Sequence, residues 1–319
     1  MYAIGVDIGG TKSVVSLGYL HRETWEIVRK GEKYVTKDYS PKQMIDCLCR
    51  DITAFAKEVA GLHLIGIGIS CGGPLNSAAG IILSPPNLPG WDDIRIVEII
   101  QECTHLKCWL MNDANASAIA EWKYGAGRSY HHLAFLTFGT GLGAGLILDD
   151  RLYSGRNDMA GEVGHVRLRS NGPVGYGKEG SFEGFCSGGG IQQLAYTMVL
   201  CEKQKGKANH WSLDRTSAAD VGFMARQGDE LALRIFERVG KMLGEGVSKM
   251  IDLLNLERII LGGIYMRCEP WILPAAQAVI QEEVCLESLG CELVPSQLGE
   301  SIGDIAALSI PLYWRSKDE

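Results

Sequence analysis

A glycine-rich turn near the amino terminus carries the first residues that could do chemistry. The stretch "DIGGTK" places Asp7 at the end of an apolar run, followed by Gly9, Gly10, Thr11 and Lys12. Backbone N–H groups of two glycines can close on a phosphate, and a hydroxyl and an ammonium group add further donors. Asp7 could hold Mg²⁺, directly or through water, because hard cations prefer carboxylate oxygen. The pattern predicts phosphate binding, with an ordinary polar hairpin turn as the alternative.

A second glycine-rich turn, "FGTGLGAG", contains Thr140, Gly141 and Gly143. A dinucleotide fingerprint needs a helix after its glycines, so that the helix N-terminus meets the pyrophosphate. Here "LILDD" follows, which is typical of a strand, and the Gly-Lys-Ser/Thr of a Walker A loop does not occur. We therefore expect a second hairpin that cradles phosphate. Two such hairpins, one in each lobe, would grip a triphosphate.

A short polar segment ends an apolar run in the middle of the chain. In "WLMNDAN", Asn112 and Asp113 stand where a strand would end, the usual position of ligand sites in α/β sheets. A carboxylate there can accept the proton of a hydroxyl group while its oxygen attacks a phosphoryl group. The alternative is that Asp113 or Asn115 caps the following helix, and the two roles can coexist.

Two further segments, "GEVGH" and "FEG", lie in a glycine-rich region and supply Glu162, His165 and Glu183. Carboxylates and an imidazole can make paired hydrogen bonds to neighbouring sugar hydroxyls. The alternative is that these glutamates are solvated surface, as most charged side chains are. We assign His131 and His132, at the start of a predicted strand, to the surface.

Strand-like and helix-like runs alternate along the chain, which is the pattern of α/β proteins. "YAIGVDI" with "SVVSLGYL", and "HLAFLTF" with "LILDD", predict hairpins around the two glycine turns. A helix is predicted over 40–59, with Ser40 as N-cap, Pro41 at its first position and Gln43 completing a capping box. "RIILGG" predicts a later strand, and "SIGDIAALSIPLYW" predicts a short helix. Because 319 residues exceed the size of one core, two lobes are expected.

The composition argues against several classes of protein. The net charge is −7 without any basic run, which argues against nucleic-acid binding. The start "MYAIGVDIGG" lacks the features of a signal peptide, and no run of about eighteen apolar residues predicts a membrane span. The ten cysteines are dispersed without a Cys-x-x-Cys pair. We therefore expect reduced thiols in a cytoplasmic protein rather than disulfides or a metal framework.

Taken together and in this order, "DIGGTK", "NDANASA", "FLTFGTGLGAG", "AGEVGH" and "ILGG" resemble the ROK family. The family comprises sugar kinases and sugar-responsive repressors of the actin-like ATPase superfamily. The resemblance implies an α/β, actin-like ATPase (ribonuclease H-like) fold, with a duplicated α/β core in two lobes around a cleft for ATP and sugar. The implied small lobe covers 1–117 plus about 298–319, and the large lobe covers 118–297.

The resemblance also implies a role for each matching position. Asp113 matches the catalytic base, Asp7 the acid near Mg²⁺, and Asn112 a sugar-binding neighbour. The other implied sugar contacts are Gly73, Asn87, Glu162, His165 and Glu183. The implied nucleotide contacts are Gly9, Gly10, Thr11, Lys12, Thr140, Gly141, Gly143, Gly262 and Gly263. ATP and Mg²⁺ are the expected cofactors, a sugar the expected partner, and a homodimer the typical assembly, without nucleic acid or membrane.

The segment after "GH" departs from the family pattern. Relatives carry Cys-x-Cys-Gly-x-x-Gly-Cys-x-Glu there, which with the histidine binds structural Zn²⁺. In this chain Val174, Tyr176 and Ser181 stand where the cysteines would be, so no Zn²⁺ is expected. We hypothesise that apolar contacts from Pro173, Val174, Tyr176 and Phe182 replace the metal. The alternative is a mobile loop that becomes ordered when substrate binds.

The implied reaction is ATP-dependent phosphorylation of a hexose, with glucose and its 6-hydroxyl as the first choice. N-acetylglucosamine, N-acetylmannosamine and fructose are alternatives, because selectivity depends on the shape of the pocket. A non-catalytic sugar sensor would be expected to lose Asp113 or a phosphate turn, and neither is lost. A repressor would carry a helix-turn-helix segment before the first phosphate turn, for which a start at Asp7 leaves no room.

Overall fold

The computed structural model describes residues 1–207 and 210–318. The chain forms two compact units. The first unit comprises Met1–Ser129, Gly145–Ala160 and Gln297–Glu319, and the second comprises Tyr130–Ala144 and Gly161–Ser296. Each unit is therefore assembled from segments that are distant in the sequence.

The strands follow one another as β1 (Tyr2–Ile8), β2 (Lys12–His21), β3 (Thr24–Lys30), β4 (Tyr34–Val35), β5 (Leu64–Cys71), β6 (Leu75–Asn76), β7 (Ile81–Ile82), β8 (Cys108–Asn112), β9 (Leu133–Phe138), β10 (Leu142–Leu148), β11 (Arg151–Leu152), β12 (Val174–Gly175), β13 (Lys178–Glu179), β14 (Arg258–Leu261) and β15 (Glu292–Pro295). The helices are α1 (Pro41–Glu58), α2 (Ile96–Thr104), α3 (Asp113–Tyr124), α4 (Phe182–Phe185), α5 (Gly188–Gln204), α6 (Ala218–Arg226), α7 (Glu230–Leu254), α8 (Ile264–Glu283) and α9 (Ile302–Asp318). Within the described ranges, none of these helices is both long and apolar enough to cross a membrane.

The sheet of the first unit has the strand order β3-β2-β1-β5-β8, with β4 also paired to β2. The first two strands form the predicted antiparallel hairpin, while β1, β5 and β8 run parallel. Ile8 pairs with Cys71, and Cys71 pairs with Asn112, so the carboxyl ends of these three strands meet at one edge. That register brings Asp7 and Asp113 into the same neighbourhood, although more than a hundred residues separate them in sequence.

Helix α1 confirms the predicted capping signals. The Ser40 side chain accepts a hydrogen bond from the Gln43 backbone N–H, the Gln43 side chain accepts one from the Ser40 N–H, and Pro41 is the first helical residue. The helix packs its apolar face into the core of the first unit through Met44, Ile45, Leu48, Ile52 and Phe55. Because one stripe is apolar, the helix is stable only against that core.

In the second unit, β10, β9, β14 and β15 lie in that order in a sheet. Strand β14 is parallel to both β9 and β15. Helices α7 and α8 cross closely at two glycines of α7, because a Cβ on Gly240 would lie 2.4 Å from the Ile272 carbonyl and one on Gly244 would lie 2.7 Å from that of Ala276. Sheet and helices thus repeat the hairpin-then-helix theme of the first unit.

Several elements have no counterpart in the sequence prediction, among them β3, α8 and β15, and the terminal helix α9 is longer than predicted. Helix α8 contains Pro270 and Pro274, and α9 contains Pro311. Proline normally ends or kinks a helix because it lacks an N–H and its ring crowds the preceding turn. Both helices tolerate the prolines because packing in their own units stabilises them.

The expectation that all ten cysteines are reduced thiols is wrong at one pair. Cys49 on α1 and Cys103 on α2 form a disulfide, with Cα atoms 6.4 Å apart. The two residues are 54 positions apart, and only the side-by-side packing of α1 and α2 brings them together. The remaining cysteines of the described chain are free.

Candidate functional site

Two carboxylates, Asp7 and Asp113, dominate the edge of the first unit's sheet. The pKa of Asp7 is raised to about 7, first by burial and then by the neighbouring carboxylates of Asp113 and Asp304, while Lys12 opposes the shift. A Cβ added to Gly303 would lie 3.0 Å from an oxygen of Asp7, so the start of α9 closes directly over this carboxylate. The result is a crowded group of acids whose negative charge is only partly offset.

Asp113 is the first residue of α3, and Asn112 is the N-cap. The Asn112 Oδ1 accepts hydrogen bonds from the N–H groups of Ala114 at 3.0 Å and Asn115 at 3.3 Å. The capping role suggested for Asp113 or Asn115 therefore belongs to Asn112. The Asp113 side chain remains exposed on one side, yet desolvation by surrounding protein raises its pKa against the opposing effect of the Ala114 N–H. A carboxylate with a raised pKa is, once ionised, a stronger proton acceptor than an ordinary one.

The first glycine turn is held by a buried threonine that the sequence did not single out. The Gly9 N–H donates to the Lys12 carbonyl at 3.0 Å, and the Thr36 hydroxyl donates to the Gly9 carbonyl at 2.7 Å. The Thr36 N–H also donates to the Thr11 carbonyl at 3.0 Å. These bonds use the carbonyls of Gly9, Thr11 and Lys12 together with the Gly9 N–H, so a phosphate would have to be met by the other N–H groups of the turn.

Two of the predicted sugar contacts lie beside this turn and beside Asn112. A Cβ on Gly10 would lie 2.7 Å from Cβ and carbonyl oxygen of Asn87, so the turn packs against the Asn87 backbone. A Cβ on Gly73 would lie 3.2 Å from the Asn112 Nδ2. The approach at Gly10 requires glycine, and within the first unit Asn87 lies beside the phosphate turn while Gly73 lies beside Asn112.

An ion pair behind Asp7 was not predicted. Asp304 is 8% exposed, accepts a hydrogen bond from the Ser16 hydroxyl at 2.5 Å and pairs with Lys30 Nζ at 2.5 Å. Ser16 and Asp304 are 288 residues apart, so no local pattern could have linked them. Because a buried carboxylate is costly unless paired, Lys30 is what keeps this second acid tolerable beside Asp7.

In the second unit, the other glycine turn is braced by Glu183. The Glu183 Oε2 accepts a hydrogen bond from the Leu142 N–H at 2.9 Å, and a Cβ on Gly141 would lie 2.7 Å from the same oxygen. The Gly139 N–H donates to the Gly141 carbonyl at 3.0 Å, and the Thr137 hydroxyl accepts from the Gly143 N–H at 3.0 Å. A residue predicted to bind sugar therefore also holds the predicted phosphate turn.

The segment with Glu162 and His165 packs on the same strand. Ala144 N–H donates to the Gly161 carbonyl at 2.9 Å, and a Cβ on Gly164 would lie 2.0 Å from the Leu142 carbonyl. A short 3-10 turn over Val163–His165 then exposes the Glu162 and His165 side chains. Within the second unit, Glu162, His165, Glu183, Thr140, Gly141 and Gly143 thus form one contiguous group.

Gly262 and Gly263 follow β14 and lie beside the end of β9. The Gly262 N–H donates to the Leu136 carbonyl at 3.0 Å. Gly263 has φ +66°, and a Cβ there would lie 2.2 Å from the Phe138 carbonyl. This position therefore requires glycine for both backbone conformation and space.

We expect Gly263→Ala to lower the free energy of unfolding by about 2 kcal/mol or more, because the new methyl group meets a backbone carbonyl in a left-handed conformation. Urea denaturation measures the loss, and nucleotide titration is expected to show weaker binding. Gly189→Ala is the matched control, since that helical glycine has nothing within 4 Å of an added Cβ. Equal stability of the two variants would contradict the conclusion that position 263 requires glycine.

The hypothesis that four apolar residues replace the metal in the loop between Gly161 and Gly188 is wrong for most of them. Val174 and Tyr176 are exposed, at 46% and 58%, so they do not form an apolar substitute for the metal. Of the four residues proposed, Phe182 is the fully buried one, and its ring lies against Gly246 of α7. The Pro173 carbonyl contributes by accepting a hydrogen bond from the Gly180 N–H at 3.0 Å.

Backbone hydrogen bonds and polar side-chain contacts stabilise the rest of this loop. The Leu168 and Arg169 N–H groups both donate to the Gly180 carbonyl. Arg169 makes a two-pronged ion pair with Glu245 on α7, and such paired bonds fix orientation as well as adding energy. Ser181, where the family places a cysteine, caps α4 by accepting from the Gly184 N–H at 3.0 Å. The loop is therefore fixed within its unit by hydrogen bonds, an ion pair and one buried aromatic ring.

We expect Phe182→Ala to lower the free energy of unfolding by about 3 kcal/mol, since it empties a buried site of an aromatic ring. Val174→Ala in the same loop is expected to change stability by less than about 0.5 kcal/mol because Val174 is half exposed. Chemical denaturation of both proteins tests the contrast. Similar losses for the two variants would support the apolar hypothesis that the structure contradicts.

The two units, each with a glycine hairpin on an α/β sheet, define the class of protein: the chain has the actin-like ATPase fold. Comparison with known proteins gives the family. The ROK family model matches residues 3–310, and the chain belongs to the ROK family. It is similar to a glucokinase of Thermotoga maritima, with 32% identity over 316 residues and 96% of each chain covered.

Relatives of a second kind are also similar. A xylose repressor of Bacillus subtilis is 27% identical, with 97% of this chain and 76% of the repressor covered. Among solved structures, a ROK family glucokinase from Streptomyces griseus in complex with glucose and AMPPNP aligns with a TM-score of 0.79 at 25% identity. That alignment covers 97% of this chain and 99% of the glucokinase.

Proposed function

We propose that this protein is an ATP-dependent sugar kinase that phosphorylates a hexose, with glucose and its 6-hydroxyl as the first candidate. The observation that carries the proposal is Asp113, a carboxylate of raised pKa at the carboxyl end of β8. There it would accept the proton of the attacking hydroxyl as the oxygen bonds to the transferred phosphorus. Similarity to the Thermotoga maritima glucokinase supports the same reaction class.

Each unit, taken by itself, carries some of the residues proposed to bind sugar. Asn112 and the backbone around Gly73 lie beside Asp113. Glu162, His165 and Glu183 offer carboxylate and imidazole groups, which suit the donors and acceptors of a polyol. Glu183 uses one oxygen to brace Leu142, so its other oxygen is the one proposed for the sugar. The proposed nucleotide contacts are Gly9, Gly10, Thr11, Lys12, Thr140, Gly141, Gly143, Gly262 and Gly263.

The environment of Asp7 fits a magnesium ion. Among the residues that the structure describes, no cluster of three or more histidine, cysteine or acidic side chains forms a protein cage for a metal. Mg²⁺ commonly binds through one or two carboxylates together with phosphates and water, and the partly uncompensated charge of Asp7 suits that arrangement. Asp7 would hold the ion, which would neutralise charge on the transferring phosphoryl group when bound.

The second candidate is a sugar-binding regulator without catalysis, a class favoured by the similarity to xylose repressors. Retention of Asp113 with a raised pKa favours the kinase, since a protein that only binds sugar has no need of a proton acceptor at that place. The two candidates differ in one consequence, the transfer of phosphate to the bound sugar.

The test is ³¹P NMR of the products formed from Mg-ATP and a panel of glucose, N-acetylglucosamine, N-acetylmannosamine and fructose. The proposal expects one sugar to yield a phosphate ester at its 6-hydroxyl. The 6-deoxy form of that sugar is the matched control, expected to bind without giving a product. Sugar binding without any ester would favour the regulator.

A further inference from the structure

Two side chains of the hairpin formed by β12 and β13 contact His165. The ring centroids of Tyr176 and His165 are 6.0 Å apart, and the rings are inclined by 77°, an edge-to-face contact. The Lys178 Nζ donates a hydrogen bond to the His165 backbone carbonyl at 2.7 Å. One side chain thus restrains the imidazole, while the other restrains the backbone of the same residue.

The hairpin is packed against neighbouring backbone and side chains on both of its sides. A Cβ on Gly175 would lie 2.4 Å from the Gly184 N and 2.9 Å from the Glu183 Cβ, so the hairpin rests directly on the backbone that carries Glu183. On its outer side, the Gln193 side chain of α5 pairs with the Val174 N–H and carbonyl, both at 2.9 Å. Contacts on both sides fix the hairpin's position relative to His165.

Tyr176 occupies an unusual position for a large side chain. It has φ +47° at the tip of the hairpin and is 58% exposed, so neither backbone preference nor burial explains a tyrosine there. Its ring contact with His165 is the interaction that its side chain makes within the described chain. That contact indicates that the Tyr176 side chain acts through the imidazole of His165.

His165 is exposed, and its ring nitrogens have no hydrogen-bond partner in the parts of the chain that the structure describes. Both nitrogens are therefore available to a ligand. An exposed side chain that is ordered only on binding costs affinity, whereas one already held in place does not. An aromatic pair of the kind formed by Tyr176 and His165 has the right strength for such restraint.

We propose that Tyr176, assisted by Lys178, is a positioning residue that pre-orients His165 for a sugar hydroxyl, so that the hairpin tip sets sugar affinity. This inference rests on the proposed function, because it takes His165 as a sugar contact. It predicts that Tyr176 acts on sugar binding alone, without effect on the nucleotide or on the chemical step.

Steady-state kinetics of Tyr176→Ala tests the inference. The KM for sugar is expected to rise about 3- to 10-fold, with kcat and the KM for ATP within twofold of the wild type. Tyr176→Phe keeps the ring and is expected to keep the wild-type KM. Val174→Ala, at another exposed position of the same hairpin, is expected to leave the KM unchanged. Lys178→Ala is expected to raise the KM in the same direction.

The His165 ring-proton resonances give a second readout, because removal of the Tyr176 ring should shift them while Val174→Ala should not. A wild-type KM for Tyr176→Ala beside a raised KM for His165→Ala would overturn the inference. So would equal changes in Tyr176→Ala and Val174→Ala, which would indicate general loosening of the loop. If the wild type turns over no sugar, the proposed function fails, and sugar affinities of the same variants by calorimetry then decide the inference separately.

Discussion

Asp113→Asn is expected to reduce kcat by about 10³-fold while sugar still binds. The substitution keeps the size and the hydrogen bond to the Ala114 N–H but removes the proton acceptor, and general-base catalysis typically contributes about 10²- to 10⁴-fold. Because the loss falls on a step that follows binding, the KM for sugar should change by less than about threefold. Initial-rate kinetics with Mg-ATP and the accepted sugar measure both constants.

The raised pKa of Asp113 adds a dependence on pH to the same prediction. Since the acceptor must be ionised, kcat of the wild type is expected to rise with pH through the raised pKa and then level off. The residual activity of the asparagine variant should lack this rise. Asn115→Ala, a substitution of a buried residue two positions along the same helix, is the control for damage to α3. A variant Asp113→Asn with near-normal kcat would remove Asp113 from catalysis.

Asp7→Asn is expected to stabilise the protein at alkaline pH in the absence of Mg²⁺. The folded-state pKa of about 7 lies above the unfolded value of 3.8, so the folded protein holds a proton that the unfolded chain has released between these values. The free energy of unfolding therefore falls as pH rises through this window, and the loss is complete above about pH 7. With about 1.4 kcal/mol per pKa unit, the penalty at pH 8 is at most about 4 kcal/mol.

Asparagine cannot ionise, so the variant should not pay this penalty. Its free energy of unfolding should therefore not fall as the pH rises from 5 to 8. Urea unfolding at pH 5, 6, 7 and 8 without divalent cations measures the slope of each protein. Asp46→Asn, an exposed substitution on α1, is the matched control and is expected to keep the wild-type slope. Parallel slopes for wild type and Asp7→Asn would show that Asp7 bears no such charge penalty. Since Asp7 is the proposed magnesium residue, the more stable variant should also turn over ATP more slowly.

The parts of the fold that were predictable are those with local causes. Alternating apolar residues on either side of a glycine turn predicted both hairpins, and capping signals at Ser40 predicted the start of α1. The carboxyl end of an apolar strand also predicted where Asp113 would lie, because parallel strands deliver their ends to one edge. In each case a few adjacent residues contain the whole signal.

The remainder depends on contacts between distant residues. The ion pair of Lys30 with Asp304, and the disulfide of Cys49 with Cys103, arise from packing that no short window contains. Helix α8 was missed for a different reason: its prolines oppose helix propensity, and close packing against the glycines of α7 overrides them. Tertiary packing also decided the loop after His165, where Arg169 and Phe182 act through partners on α7.

The most direct test of the account is ADP release by the purified protein with Mg-ATP, measured for each sugar of the hexose and N-acetylhexosamine panel. The account predicts sugar-dependent release for one of them, at a rate at least about a hundredfold above that of Asp113→Asn. Absence of sugar-dependent ADP release with every sugar, together with sugar binding detected by calorimetry, would contradict it and leave a sugar-binding regulator on a kinase fold.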